Sequence, residues 1–239
     1  MQVDSDVGER AGGAEFQLVV GHVRTVGELT AELNAVCDRA EDRRPPGVVL
    51  MLGGSPGDWP WPGAARIQEV NRWERAVRRL ERLSAVIIAV ARGTCGGPAL
   101  DLLLAGDYRI AEPGLRMLLP VNDGHFWPGM GVHRLVNQVG VARARQLVLW
   151  GHELSAPQAI ELGLVDEVTE QLDDAIGAAA LLLGRLSGPD LAIRRQLLLE
   201  APSVDHDEAL GPHLAACDRE LLRLRRGLEP AAPAGEEAR

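Results

Sequence analysis

The sequence predicts an α/β fold with a parallel sheet, because strand and helix patterns alternate along residues 15–91. Two continuous apolar runs, at 48–52 and 85–91, are typical of strands that are buried on both faces of a sheet. The segments before and between them carry apolar residues at helical spacing. Such an alternation indicates right-handed crossovers, which place the strands parallel to one another.

The first half of the chain shows these elements in order. A short strand pattern occupies 15–20, and Thr25 with Glu28 matches a capping box that opens the first helix. That helix has one apolar face, formed by Leu29, Leu33, Val36 and Ala40. A loop rich in Gly and Pro follows the strand at 48–52 and spans 53–63. The second helix precedes the strand at 85–91, and its apolar face is formed by Ile67, Val70, Trp73, Val77, Leu80 and Leu83.

The second half is predicted to be mainly helical. A glycine-rich turn after Gly93 leads into a helix at 98–105 and a short strand at 108–110. Helices are expected at 131–139 and 142–150, and a second capping box, Ser155 to Gln158, opens a helix that stops at Gly163. A last strand is expected at 164–168. Three further helices are expected at 173–186, 190–200 and 207–227.

The predicted domain organisation has four parts. Residues 1–13 and 229–239 are polar or low in complexity and are expected to be disordered. Residues 14–188 form the core, and 189–228 form a C-terminal helical region. The last helix carries an apolar stripe that is expected to face an oligomer partner or the core, formed by Leu210, Leu214, Cys217, Leu221 and Leu224.

Composition and charge exclude several function classes. The formal net charge of −9 argues against a nucleic-acid surface. The chain contains no Lys, which removes lysine Schiff-base chemistry. Its three cysteines are far apart and belong to no Cys/His cluster, so neither a disulfide framework nor a metal site is indicated. No secretory signal pattern and no membrane-spanning apolar run is present, so we expect a cytoplasmic protein.

Three motifs in residues 89–168 carry a family resemblance. The segment at 89–111 reads AVARGTCGGPALDLLLAGDYRIA and is similar to the pattern AVNGxAxGGGxxLALxCDxRIA. The segment at 120–135 is similar to PExxxGxxPGxGGxxRL. The segment at 140–168 reads GVARARQLVLWGHELSAPQAIELGLVDEV and closely matches the third motif of the same family. In this order and spacing, the motifs resemble the crotonase superfamily, the enoyl-CoA hydratase/isomerase group. The resemblance implies a crotonase-like spiral of ββα units with a C-terminal helical oligomerisation region.

The resemblance also implies a chemistry and a site. Members bind an acyl-CoA thioester, hold its carbonyl oxygen between two backbone amides, and stabilise an enolate there. One amide would come from the loop after the strand at 48–52, where counting places Trp59. The other would come from the glycine-rich turn, at Pro98 or, with a shift of one residue, at Gly97. Proline has no N–H, so Pro98 would leave the second donor missing.

The family's two catalytic glutamates fall on Asp101 and Val121. Asp101 is the predicted general acid and base, although it is equally suited to a structural hydrogen bond. Val121 cannot transfer protons, and its neighbours Asn122, Asp123 or His125 could replace it in the same loop. Asp123 is also typical of a turn, and His125 of a packed loop residue.

Within the family, the substitutions look most like the accessory hydratase of 3,5-dihydroxyphenylacetyl-CoA assembly in dihydroxyphenylglycine biosynthesis for glycopeptide antibiotics. That resemblance implies dehydration and aromatisation of a polyketide-CoA, with coenzyme A as part of the substrate and no further cofactor. It implies a homotrimer or hexamer, and a type III polyketide synthase or a second crotonase as partner. Two alternatives remain open, a catalytically inactive binding partner and a thioester hydrolase.

Overall fold

A five-stranded parallel sheet organises the computed structural model, which describes residues 14–20, 24–53, 61–122 and 124–228. These residues divide into two units, one up to Ala192 and one from Ile193 onward. The spatial order of the strands is β1 (Ala14–Val20), β2 (Gly47–Gly53), β3 (Val86–Arg92), β5 (Tyr108–Ala111) and β10 (Glu167–Val168). The predicted α/β class with a parallel sheet is therefore confirmed.

Helices cover both faces of this sheet. The helices of the first unit are α1 (Val26–Arg43), α2 (Ile67–Leu80), α3 (Pro98–Leu104), α4 (Met130–Val148), α5 (Ala156–Glu161) and α6 (Leu172–Leu183), followed by a 3₁₀ turn at Gly184–Leu186. Alternate residues of β3 point to opposite faces, as the strand period of two requires. Ile87 and Ala89 pack in the cluster that holds α1, α2 and α3, whereas Ile88 and Val90 pack against α6. This two-sided burial explains the continuous apolar run at 85–91.

Local signals set the helix boundaries as predicted. The Thr25 hydroxyl accepts a hydrogen bond from the backbone N–H of Glu28, and the Glu28 carboxylate accepts one from the N–H of Thr25. At Ser155, the backbone N–H donates to the side chain of Gln158. Gly140 has φ 75° and interrupts α4, because this backbone conformation is not helical. The two helices predicted at 131–139 and 142–150 are thus the two halves of α4.

Asp107 fixes the turn between α3 and β5. Its carboxylate accepts a hydrogen bond from the backbone N–H of Ile87 at 2.8 Å, and its own N–H donates to the Ile87 carbonyl at 2.8 Å. This pair joins the start of β5 to β3 and orders the chain that follows α3.

Short strands are the main difference from the prediction. The strand expected at 164–168 is only Glu167–Val168, because Leu164 and Val165 hydrogen-bond back to Ala159 in the turn after α5. Unpredicted two-residue strands pair in two small sheets, namely β4 (Thr94–Cys95), β6 (Arg116–Met117), β7 (Val121–Asn122), β8 (His125–Phe126) and β9 (Leu154–Ser155). Two residues are too few to show an alternating pattern.

The C-terminal segment is helical, as predicted. It contains α7 (Pro189–Glu200) and α8 (His206–Leu228). The predicted leucine stripe of α8 is about half exposed, with Leu214 at 58% and Leu224 at 50%. Among the described residues, no single helix has the length and apolar content to cross a membrane, and only residues 172–186 and 189–200 taken together as a bent pair meet that test.

Candidate active site

The described part of the candidate site lies near the carboxyl ends of β2 and β3. Gly53 and Arg92 are paired at the ends of these adjacent parallel strands. A Cβ on Gly53 would lie 2.2 Å from the Arg92 carbonyl oxygen, so glycine is required for this approach. Trp61, the first described residue after β2, lies against Gly97 in the turn that follows β3 and precedes α3. The carboxyl ends of the strands are where open α/β sheets commonly bind ligands.

Asp101 lies in the first turn of α3 with its side chain only 8% exposed. The indole Nε1–H of Trp73 donates a hydrogen bond of 2.9 Å to Asp101 Oδ2. Amphipathic spacing turns Trp73 from α2 into the core, where it is 2% exposed. Its ring meets that of Trp61 edge to face, with centroids 5.6 Å apart. One carboxylate oxygen is therefore held by a buried donor.

Arg134 supplies the positive charge nearest to this carboxylate. Its Nη1 lies 4.0 Å from Asp101 Oδ1 and 3.0 Å from the Glu74 carboxylate, while its Nε lies 2.8 Å from Glu81. The Arg134 side chain is 10% exposed. One guanidinium thus faces three carboxyl groups in a largely desolvated cluster.

This environment favours the neutral form of Asp101. Burial, followed by the nearby Glu74, raises the pKa of Asp101 to about 6, and Arg134 and the Trp73 hydrogen bond oppose this rise. Cys95 lies close by, but burial and then the Asp101 charge raise the pKa of its thiol to about 12. Cys95 is therefore a buried neutral thiol rather than a nucleophile.

The described residues enclose a cavity of about 10 Å³ beside Asp101. This is close to the smallest volume that can hold one water molecule. Apart from Asp101, its walls are apolar, aromatic or glycine, formed by Trp61, Gly97, Leu100, Leu119, Pro120, Trp127, Gly129, Gly131 and Val132.

Two glycines in this wall permit close approaches. Gly97 has φ 54°, and a Cβ there would lie 2.9 Å from Cγ of Trp61. A Cβ on Gly131 would lie 2.8 Å from Asp101 Oδ1. Gly131 thus lets the start of α4 lie against the carboxylate oxygen that Trp73 does not hold.

Only some of the predicted site residues line the cavity. Asp101 and Gly97 line the cavity, and Pro98 is the buried first residue of α3. His125 is exposed, pairs with Asn122 in the β7–β8 ladder, and is not among the residues that line the cavity. Trp59 and Asp123 lie outside the described residues.

Val121, on which the sequence resemblance places the family's second glutamate, is 58% exposed. The described part of the site therefore contains one carboxyl group that faces the cavity, Asp101.

The partners of Asp101 are not evident from the sequence. The helical spacing places Trp73 on an apolar helix face, and Arg134 belongs to the motif at 120–135. The requirement that a buried indole N–H finds an acceptor could have indicated a polar partner for Trp73. Its identity could not be predicted, because Trp73 and Asp101 lie 28 residues apart.

Asp101 is expected to make the stability of the protein dependent on pH. Because its pKa is raised from 3.8 to about 6 in the folded state, its contribution is fully present below pH 4 and is lost as the pH rises through 6. The free energy of unfolding of wild type minus that of Asp101→Asn should fall by about 3 kcal/mol from pH 4 to pH 8. Urea denaturation across this range measures the difference, and a flat profile would contradict the raised pKa.

Comparisons with known proteins identify relatives over most of the chain. The model of the Enoyl-CoA hydratase/isomerase family matches residues 67–197. A protein from Amycolatopsis orientalis named Enoyl-CoA-hydratase is 47% identical over 193 residues, which cover 80% of this chain and 88% of that protein.

Solved structures of enoyl-CoA hydratases and isomerases have a similar fold. An enoyl-CoA hydratase/isomerase from Cupriavidus metallidurans has a TM-score of 0.66 at 25% identity and covers 81% of this chain and 78% of its own. An enoyl-CoA hydratase from Mycobacterium smegmatis has a TM-score of 0.71 at 20% identity, with 94% and 90% covered. These likenesses confirm the predicted crotonase-like fold.

Proposed function

Since this chain belongs to the enoyl-CoA hydratase/isomerase family, we propose that it binds an acyl-CoA thioester and interconverts a 3-hydroxyacyl group and an enoyl group, with Asp101 as general acid and base. The observation that carries the proposal is the Asp101 carboxyl, which is buried at the start of α3 and lines a cavity with mostly apolar walls. Its pKa of about 6 suits proton transfer in both directions near neutral pH.

One carboxyl group is sufficient for the proposed reaction. In dehydration, the Asp101 carboxylate takes the α-proton of the 3-hydroxyacyl thioester, and the electrons of that C–H bond form an enolate. Asp101 then returns the proton to the β-hydroxyl group, the C–O bond breaks, and water leaves with formation of the α,β double bond. Hydration is the reverse sequence. The turn at Gly97 and Pro98 and the loop at Trp59 would frame the thioester carbonyl.

A narrower proposal names the substrate class. The chain would dehydrate and aromatise a polyketide-CoA to 3,5-dihydroxyphenylacetyl-CoA in glycopeptide-type antibiotic biosynthesis, beside a type III polyketide synthase or a second crotonase. Its support is the resemblance of the motifs in residues 89–168 to the accessory hydratase of that pathway. We further propose a homotrimer or hexamer, with the α8 stripe as a contact surface.

A second candidate function is that of a catalytically inactive partner that binds and stabilises a synthase or an active hydratase. Three observations favour it. Pro98 has no N–H to offer an enolate, Val121 replaces the second glutamate, and the cavity bounded by the described residues is about 10 Å³.

Turnover of a short enoyl-CoA by the purified protein tests the proposal. We expect Asp101→Asn to lower kcat about 100-fold or more, because it removes the only proton-transferring group assigned to the reaction. The asparagine amide oxygen can still accept the Trp73 hydrogen bond, so the variant should fold. Asp174→Asn, an exposed aspartate in the first turn of α6, is the matched control and should keep wild-type activity.

A partner assay separates the two functions. Product formation by a type III polyketide synthase is measured with wild type, with Asp101→Asn and without the protein. No turnover of any enoyl-CoA, together with equal stimulation of the synthase by both forms, would reject the enzymatic function. Intrinsic turnover that is abolished in Asp101→Asn would reject the inactive partner.

A further inference from the structure

We infer that Trp73 and Arg134 are positioning residues that hold the Asp101 carboxylate with Oδ1 toward the cavity. The inference deepens the proposed function, since Asp101 is the proton-transferring group there. Neither residue lines the cavity, and each is assigned a role that acts through its interaction with Asp101.

The two oxygens of Asp101 have different surroundings. Oδ2 accepts the hydrogen bond of Trp73 Nε1, and this fixes the rotation of the carboxylate. Oδ1 lies on the side of Gly131, a residue of the cavity wall, and 4.0 Å from Arg134 Nη1. A distance of 4.0 Å is too long for a hydrogen bond. Arg134 therefore interacts with Oδ1 through its charge alone, and Oδ1 can accept a proton from a substrate.

Arg134 is itself held on two sides. Its Nε donates to Glu81 at 2.8 Å and its Nη1 donates to Glu74 at 3.0 Å. Because these two carboxylates take its hydrogen bonds, the guanidinium lies near Asp101 without forming a close pair with it. A close bidentate pair would stabilise the ionised carboxylate and lower the pKa of Asp101, so that it would protonate a substrate less readily.

The charged and titratable groups around Asp101 come from four parts of the chain. They are Glu74 within α2, Glu81 directly after the C-terminal end of α2, Arg134 within α4 and Cys95 within β4. The Cys95 thiol stays neutral, so Arg134 provides the positive charge of this group and the glutamates provide the negative charge. The balance between them sets how readily Asp101 exchanges its proton.

The test uses Trp73→Phe, which removes the N–H donor and keeps an aromatic ring. We expect the titration midpoint of Asp101, followed by the ¹³Cγ chemical shift of the full-length protein, to rise by about one pH unit. We also expect kcat for a short enoyl-CoA to fall about ten-fold or more with KM nearly unchanged, because a misplaced carboxylate slows the chemical step. An unchanged midpoint in a folded Trp73→Phe protein would overturn the inference.

Gly131→Ala tests the same geometry without touching the tryptophan core. The added methyl group would lie 2.8 Å from Asp101 Oδ1 and must displace it, so kcat should fall and the midpoint should move. Gly177→Ala is the control, since this helical glycine of α6 has no neighbouring atom within 4 Å of the added Cβ, and it should match wild type in both measurements. Wild-type values for Gly131→Ala would contradict the position assigned to Oδ1.

The two measurements separate failure of this inference from failure of the proposed function. If wild type turns over no enoyl-CoA, the proposed function fails, and the midpoint of Asp101 in the variants still decides whether Trp73 and Gly131 control this carboxylate. If turnover is present but neither variant alters the midpoint or kcat, the proposed function stands and the positioning role is rejected.

Discussion

Replacing Arg134 with methionine is expected to lower the free energy of unfolding at pH 7 by about 3–5 kcal/mol. Methionine fills much of the same volume but leaves Glu74, Glu81 and Asp101 close together without the guanidinium that faces all three. These side chains are between 8% and 17% exposed, so water can compensate only part of the lost interaction. Urea denaturation of wild type and Arg134→Met measures the change.

The control for this variant is Arg116→Met. Arg116 also makes two short contacts with a carboxylate, Glu153, but the two side chains are 58% and 45% exposed. An exposed pair of this kind contributes about 1 kcal/mol or less. Equal small losses in both variants would show that the cluster is not held together by Arg134.

The fold could be predicted largely because its strands and helices follow local periodicity. The run at 85–91 indicated a strand buried on both sides, and its alternate residues do pack against different helices. The two helices expected at 131–139 and 142–150 lie on either side of Gly140, whose φ of 75° is a conformation that glycine adopts readily. Strands such as β4 and β6 contain two residues each, and they are defined by their pairing partners rather than by a pattern of their own.

The sequence predicts those residues of the candidate site that belong to a recognised motif, but not the contacts between them and other helices. Asp101 and Gly97 belong to the motif at 89–111, and the structure places both at the cavity. The interactions of Asp101 with Trp73 and Arg134 arise from packing of α2, α3 and α4, and no local spacing relates these helices. Likewise, Trp61 lies beside Gly97 because β2 and β3 are parallel and end side by side. Neither loop sequence alone predicts this contact.

Pro98→Gly is expected to increase the rate of enoyl-CoA turnover about ten- to a hundred-fold. Pro98 is the first residue of α3, where the backbone N–H of any other residue points away from the helix and the helix dipole favours negative charge. Glycine restores that N–H, and an enolate oxygen beside the turn could accept its hydrogen bond. Steady-state kinetics with a short enoyl-CoA measures the gain in kcat.

Two further variants separate the effect of the N–H group from that of backbone freedom. Pro98→Ala also restores the donor but adds less freedom, so it should accelerate the reaction similarly. Ala99→Gly loosens the same turn without adding a donor, and it should not accelerate it. Both Pro98 variants are expected to lose about 1 kcal/mol of stability, since proline is favoured at the first helical position and restricts the unfolded chain. If neither Pro98 variant gains activity, the amide at position 98 does not face the thioester oxygen, and the missing donor cannot explain a slow or inactive wild type.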